Sequence, residues 1–177
     1  AFTCDGEDLN SWNTSSVTNM SRMFFRAHNF NQAIGSWDTS SVTDTSYMFN
    51  NADSFNQNIG NWNTSNVQNM ENMFFSIRVF NNGEAAGNSN NPLNWDTSNV
   101  TDMTNLFNDN RIFNQDISSW QTTNVTEMNG MFTNTWDFNS DIGSWNTQNV
   151  NNMEKMFQQS RSFNKDIGDW DTSSVTN

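Results

Sequence analysis

Residues 34–55 read IGSWDTSSVTDTSYMFNNADSF, and this arrangement decides the fold because it recurs along the whole chain. Seven of the eight Trp residues have the same surroundings, and successive ones are 25, 25, 33, 25, 25 and 25 residues apart. They are Trp12, Trp37, Trp62, Trp95, Trp120, Trp145 and Trp170. A fixed period of this length indicates a tandem repeat in which each unit packs on its neighbours.

Positions within each repeat are counted from its Trp as position 0, and repeats 1 to 7 follow chain order. Thr stands at position 2 and Val at position 5 in every repeat, with Met-Phe or Leu-Phe at 11–12 and Phe-Asn at 18–19 of the six complete ones. The one longer spacing contains an eight-residue insertion with the only Pro, and it predicts a surface loop at about residues 83–92. Residues 12–177 are therefore expected to form six full coils and a truncated seventh, which suggests a piece of a longer array. Residues 1–11 are expected to be a partial N-terminal cap or the remnant of a preceding repeat.

The spacing of apolar residues predicts an α/β repeat, a leucine-rich-repeat-like right-handed solenoid with one short parallel strand and one short helix per 25-residue coil. In repeat 2 the strand is expected at about residues 36–40, with Trp37 and Thr39 facing inward. The helix is expected at about 44–52, because apolar residues there recur in steps of three and four. The Asn at position 19 is expected to satisfy backbone groups at a tight corner, and the alternative is a carbohydrate-binding row of amides.

Composition excludes several classes of protein. The 177-residue chain has a formal net charge of −12, with only 7 Lys and Arg, so attraction to nucleic-acid phosphates is not expected. No apolar run approaches the roughly 18 residues of a membrane span, and none reads as a signal peptide. One Cys cannot build an internal disulfide framework or a Cys-rich zinc site. Although only 33% of residues are hydrophobic, the 14% aromatic content requires a buried core.

Two stretches carry a resemblance to a known family. NVTDMTNLF (residues 99–107) and FNQDISSW (residues 113–120) resemble the BspA-like leucine-rich-repeat surface proteins, and the similarity extends over about residues 9–177. The resemblance implies an extracellular, surface-anchored solenoid of a kind often used for adhesion or host interaction, in a family of which many members have no assigned biochemical activity.

Candidate catalytic residues are few. His28 is the only His and has no equivalent in the other repeats, while Cys4 lies outside the repeats. Without a Gly-rich phosphate loop or an acid pair confined to one coil, we expect no enzyme activity and no required cofactor. Trp136 stands outside the Trp column, and it fits either a sugar-stacking platform or a residue packed on the helix side.

The residues next to each Trp form the candidate interaction face. They are short and polar, and on a strand they would point outward while the Trp points inward. The candidate residues are Asn13, Asp38, Asn63, Asp96, Gln121, Asn146 and Asp171 after the Trp, with Ser36, Asn61, Asn94, Ser119 and Ser144 before it. Such oxygens and amides could bind sugar hydroxyls or Ca²⁺, or could simply keep the surface soluble.

These observations predict a non-enzymatic cell-surface or secreted protein that mediates adhesion through this polar face. Its partner would be a protein or glycan on another surface, with no direct membrane insertion. The alternative is a binder of an ordered surface, such as ice, a mineral or a polysaccharide, through ladders of Thr, Ser and Asn. That alternative needs rows of water-facing Thr, so the Thr at position 2 discriminates between the two hypotheses.

Overall fold

The computed structural model describes residues 8–177, and almost all of them lie in turns and extended connections. The only helix among them is a short 3-10 turn, Leu9–Ser11, whose N-terminus is capped by the side chain of Asp8. Strand-like pairing among these residues is limited to isolated parallel bridges at position 7 of adjacent repeats. The bridges run in order through Asn19, Asp44, Asn69, Asp102, Glu127 and Asn152. The prediction of an α/β solenoid with one strand and one helix per coil is therefore wrong.

Residues 44–52 form successive turns instead of the predicted helix. Alternate N–H groups point in different directions: those of Met48, Asn50 and Ala52 donate to carbonyls three residues earlier, at 2.8–3.2 Å. The N–H groups between them donate to carbonyls of the next repeat, as Phe49 does to Met73 at 3.0 Å. Half of the donors that a helix would need are thus used to hold the repeats together.

Two backbone positions in this segment interrupt any helix. Positions 10 and 14 lie in the left-handed region in repeats 1 to 6, for example in Tyr47 (φ 57°) and Asn51 (φ 57°). A left-handed residue reverses the local chain direction and cannot propagate a right-handed helix. The full set is Arg22, Arg26, Tyr47, Asn51, Asn72, Ser76, Asn105, Asp109, Gly130, Asn134, Lys155 and Gln159.

The predicted strand at residues 36–40 is also absent, although its side-chain orientation is confirmed. Trp37 and Thr39 face inward and are only 4% and 3% exposed. The Thr39 hydroxyl donates to the Asn63 carbonyl in the next repeat at 2.9 Å. A side-chain donor thus supplies the inter-repeat bond that a backbone N–H would provide in a strand ladder.

The core is a set of ring columns that run through the stacked repeats. In repeat 2, Phe49 and Phe55 stack with centroids 4.0 Å apart, and Phe49 lies 5.7 Å from Phe74 of the next repeat. Trp37 and Trp62 stack at 6.4 Å with their planes 1° apart. Such rings each bury about 150–250 Å², which explains how a chain with so few apolar residues forms a core.

The Asn at position 19 forms a ladder along one corner, which confirms its predicted role. The Asn56 side-chain oxygen accepts the backbone N–H of Asn81 at 2.8 Å, and Asn81 does the same for Asn114 at 3.0 Å. In the same way, the side-chain oxygens of Asn31, Asn114 and Asn139 accept the backbone N–H groups of Asn56, Asn139 and Asn164, respectively. Each amide therefore satisfies a donor in the following repeat.

The insertion lies on the surface and is fixed from below by buried amides. Residues 85–90 are exposed, while Asn81, Asn82 and Gln115 beneath them are 0% exposed. The Asn81 amide donates to the carbonyls of Ala85 and Asn88 at 2.9 Å.

Among residues 8–177, no helix is long and apolar enough to cross a membrane.

Candidate interaction face

All twelve residues predicted to form the interaction face are exposed. They are called the Trp-flanking face below: Asn13, Ser36, Asp38, Asn61, Asn63, Asn94, Asp96, Ser119, Gln121, Ser144, Asn146 and Asp171. In repeats 2 to 6 the Trp rings between them are buried, with Trp95, Trp120 and Trp145 only 2–4% exposed. The inward Trp thus turns its two neighbours toward solvent in each repeat.

Hydrogen bonds within each repeat fix the side chains at position 1. The Asp38 carboxylate accepts the Ser40 backbone N–H at 3.0 Å and the Ser40 hydroxyl at 2.6 Å. Asn63 accepts the same two donors from Ser65, at 3.1 and 2.7 Å. These Asx turns hold one side-chain oxygen in place, so the rest of the carboxylate or amide is presented in a constant orientation.

The same hydrogen bonds stabilise the ionised carboxylates. The pKa values of Asp38, Asp96 and Asp171 are lowered because the hydroxyl and N–H of the Ser two residues later donate to the charged form. The pKa of Asp116, at position −4, is lowered first by the backbone N–H of Ser118. These groups therefore carry negative charge at neutral pH.

The Trp-flanking face has a groove where repeats 4 and 5 meet. The groove has a volume of about 500 Å³ and includes four of the predicted residues, Asn94, Asp96, Ser119 and Gln121. Gln121 replaces the Asn or Asp found at position 1 of the other repeats. Its longer side chain accepts the Thr97 N–H at 3.3 Å and donates to the Ser119 carbonyl at 2.7 Å, so it spans the two repeats.

Charge is divided between two parts of the repeat. The Trp-flanking face contains Asp38, Asp96 and Asp171 and no Lys or Arg. The chain's seven basic residues all stand at positions 10 to 20, on the turn segment and the corner that follows it. They are Arg22, Arg26, Arg78, Arg111, Lys155, Arg161 and Lys165. The Trp-flanking face is therefore suited to neutral or basic ligands and not to anionic ones.

The Thr at position 2 is turned away from solvent. Thr39, Thr64, Thr97 and Thr122 are 0–3% exposed, and each hydroxyl donates to a carbonyl of the next repeat at 2.9–3.0 Å. An ice-like or mineral lattice can contact only side chains that reach the water. The Thr residues at position 2 therefore do not supply the water-facing row that the ordered-surface alternative needs.

A Ca²⁺ site would need several oxygens around one point. Residues 8–177 contain no group of three or more His, Cys, Asp or Glu side chains placed to hold a metal ion. The acidic side chains at position −4 cap turns: Asp116 and Asp141 accept the N–H groups of Ser118 and Gly143, at 2.9 and 3.1 Å. The carboxylates of Asp116 and Asp141 therefore stabilise turns within their own repeats.

Trp136 packs between two cations, which the sequence analysis did not foresee. The Arg111 guanidinium lies 4.3 Å from the ring centroid and the Arg161 guanidinium 4.2 Å from it. These Arg residues belong to the repeats before and after Trp136, and all three stand at position 16. Cation–π stacking from both neighbours occupies the ring, so a sugar cannot stack on it as the platform hypothesis requires. Aligning position 16 across the repeats would have brought the three residues together.

The other unusual side chains among residues 8–177 are His28 and two buried groups without a hydrogen-bond partner. His28 pairs with Asp53 of the next repeat at 2.8 Å, and both side chains are 58% exposed. The amide of Asn110 is buried without a hydrogen-bond partner, and so is the Trp136 indole N–H. Cys4 lies outside the described residues.

Comparison with known proteins gives a family match. The family described as "Mycoplasma protein of unknown function, DUF285" matches residues 1–91 and again residues 82–177, as two tandem copies. No curated protein and no solved structure shows significant similarity to the chain.

Proposed function

The chain belongs to the DUF285 family of tandem-repeat proteins, and we propose that it is a non-catalytic binding protein that acts in adhesion at a cell surface. The proposal rests on one observation: all twelve residues of the Trp-flanking face are exposed and recur in a fixed pattern. The partner is a neutral glycan or a basic patch on a protein, because the face offers carboxylates, amides and hydroxyls without any cation. The resemblance to BspA-like leucine-rich-repeat surface proteins supports an extracellular location.

The groove between repeats 4 and 5 is the centre of the proposed site. Asn94 and Ser119 line it from adjacent repeats, and Asp96 supplies a carboxylate with a fixed orientation. Hydroxyl and amide groups of this kind form the directional hydrogen bonds that sugar hydroxyls require. Carboxylates give the same groove affinity for Lys and Arg on a protein partner.

A neutral-glycan and protein array probed with the whole chain tests the proposal. We expect binding to neutral glycans or basic proteins, and a loss of at least about tenfold in affinity for the double variant Asn94→Lys/Ser119→Lys. The matched control is Ser54→Lys/Ser162→Lys, which adds the same two charges at exposed residues of position 17. Failure to bind any arrayed molecule, or equal losses in both variants, would refute a role for this face.

A further inference from the structure

The insertion covers part of the Asn ladder at position 19. Because each ladder bond uses the side-chain oxygen of an Asn, the amide N–H₂ group of that Asn is available to other acceptors. The N–H₂ group of Asn56 donates to the Glu84 carbonyl at 2.9 Å. That of Asn81 donates to the carbonyls of Ala85 and Asn88, also at 2.9 Å. Two adjacent ladder amides therefore hold three backbone carbonyls of the insertion.

The ladder continues past the insertion with amides that have no partner. The side-chain oxygens of Asn114 and Asn139 keep the ladder bond to the next repeat, at 2.8 and 3.0 Å. Within the described part of the chain, nothing accepts from the N–H₂ group of either side chain. Both residues are half-buried, and they line a groove of about 210 Å³ next to Ser89 of the insertion. The groove therefore extends the surface that the insertion occupies.

Ser140 explains why the groove is open in repeat 5. At the same position, 20, repeats 2 and 4 have Gln57 and Gln115. Each Gln amide donates to the carbonyl of the ladder Asn in the preceding repeat, at 3.0–3.1 Å. Ser140 is too short to reach the Asn114 carbonyl in this way, and its hydroxyl accepts the Ile117 N–H at 3.3 Å. The side chain that fills this space in repeats 2 and 4 is thus missing from repeat 5.

We propose that this groove binds an extended peptide segment whose backbone carbonyls accept the amide N–H₂ groups of Asn114 and Asn139. The insertion binds in this way within the molecule, because its carbonyls accept the same amides at the two preceding ladder positions. The ladder presents its donors in one row, and an extended peptide presents its carbonyls in one row. Backbone bonds of this kind supply affinity without requiring a particular side chain.

The walls of the groove restrict which side chains the peptide can carry. Asp116 and Asp141 line it, and each has one carboxylate oxygen held by a backbone N–H, at 2.9 and 3.1 Å. The remaining carboxylate oxygens favour a Lys or Arg and disfavour acidic residues. The small volume of the groove suits short side chains such as those of Gly, Ala and Ser at the other positions. The ligand is therefore a small-residue peptide with a basic side chain.

The test uses the whole chain and the acetylated, amidated hexapeptide KAAGNS, which has the sequence of residues 84–89 with Lys in place of Glu84. NMR follows the side-chain N–H₂ signals of Asn114 and Asn139 during the titration. We expect both signals to shift to saturation with a Kd of about 1 mM or below. The peptide EAAGNS, with the natural Glu, should bind more weakly because its charge is repelled by the two carboxylates.

Two variants locate the binding site. Ser140→Gln should weaken binding at least about tenfold, because it restores in the groove the side chain that repeats 2 and 4 have there. Asn139→Asp keeps the ladder oxygen and removes the N–H₂ donor, so it should also weaken binding. The matched control is Asn31→Asp, which makes the same change at position 19 of repeat 1, outside the groove, and should bind the peptide as the unmodified chain does.

Four outcomes overturn the proposal. They are the absence of a shift at both amides, undiminished binding by Ser140→Gln, equal losses in Asn139→Asp and Asn31→Asp, and shifts caused by maltohexaose but not by the peptide, which would make a glycan the ligand. Ser140 lies outside the Trp-flanking face, so Ser140→Gln should leave binding to the glycan and protein array unchanged. Failure of this proposal is therefore distinguishable from failure of the proposed function.

Discussion

Trp120 and Trp145 stack with their ring centroids 6.2 Å apart and an angle of 0° between their ring planes. Each ring also makes a directional bond, because the Trp120 indole N–H donates to the Leu93 carbonyl at 2.7 Å and that of Trp145 to the Ile117 carbonyl at 3.3 Å. The Trp column therefore packs the core and satisfies one buried carbonyl per repeat. It couples neighbouring repeats both by burial and by hydrogen bonding.

Replacing Trp120 should be among the most damaging changes in the chain. Trp120→Ala is expected to lower the free energy of unfolding by about 3–5 kcal/mol, because it leaves a cavity between two rings. Trp120→Phe should cost less, about 1–3 kcal/mol, because ring packing remains while the Leu93 carbonyl loses its donor. Urea denaturation followed by circular dichroism measures both.

Trp12 provides the matched control for these variants. It stands at the same position in repeat 1 but is 40% exposed, and among the described residues its one ring neighbour is Trp37, at 6.2 Å. Trp12→Ala should therefore destabilise clearly less than Trp120→Ala. Equal losses would mean that burial in the stack does not determine the contribution of this column.

The Asn ladder gives a prediction that depends on one acceptor atom. The Asn114 side-chain oxygen accepts the Asn139 N–H at 2.8 Å. Asn114→Ala should destabilise by about 1–3 kcal/mol, since it leaves that donor without a partner. Asn114→Asp keeps an oxygen at the same place and should cost much less. If thermal unfolding ranks the two variants alike, the ladder is not held by this bond.

The repeat columns could be predicted from the sequence, and the backbone that carries them could not. Periodic Trp, Thr, Met and Phe correctly indicated what faces inward, because burial follows side-chain chemistry. The three- and four-residue steps of Val42, Thr45, Met48 and Phe49 indicated a helix, yet a series of turns brings the same residues to one side. The periodicity of apolar residues alone therefore does not distinguish a helix from a series of turns.

A second signal in the sequence could have excluded the helix. Asn, Asp or Gly occupies six of the twelve residues at positions 10 and 14 of repeats 1 to 6, and none of the twelve is β-branched. These are the residue types that tolerate a left-handed backbone. The missing strand had no such signal, because only the structure shows that the Thr39 hydroxyl bonds to the next repeat.

The left-handed backbone at position 14 can be tested at Ser76. Ser76 has a φ of 59°, and its N–H donates to the Asn108 carbonyl at 2.7 Å. Ser76→Gly should stabilise the chain by up to about 1 kcal/mol, because Gly removes the steric cost of this conformation. Ser76→Val should destabilise it by about 1–2 kcal/mol, since a β-branched side chain fits this region worst. Chemical denaturation decides the matter, and a more stable Val variant would contradict the backbone assignment.

Tyr47 is the only Tyr in the chain, so its ionisation can be followed without ambiguity. Its hydroxyl donates to the Glu71 carboxylate at 2.6 Å, and this bond raises the pKa of Tyr47 above its ordinary value. Ultraviolet titration of tyrosinate should therefore give a raised pKa. Glu71→Gln should lower it toward that of a free tyrosine, and an unchanged titration would contradict the contact.

The capped carboxylates of the Trp-flanking face predict a specific acid response. The pKa values of Asp38, Asp96 and Asp171 are lowered in the folded chain by bonds from Ser at position 3. Their stabilisation is therefore complete above the unfolded value of about 3.9, and it is lost as pH falls through the folded values. The variant Asp38→Asn/Asp96→Asn/Asp171→Asn should retain its stability at neutral pH, because Asn63 caps the same turn. On acidification, this triple Asn variant should lose less stability than the unmodified chain does.

Removing the donors separates capping from charge. Ser40→Ala/Ser98→Ala/Ser173→Ala should also flatten the acid response, because the folded pKa values of the three Asp residues return toward their unfolded values. Unlike the Asn variant, it should be less stable at neutral pH, since each carboxylate loses a hydroxyl donor. Urea denaturation at pH values from about 2 to about 7 compares the three proteins across the range in which Asp titrates. An acid response as steep as that of the unmodified chain in both variants would mean that these carboxylates do not control its acid stability.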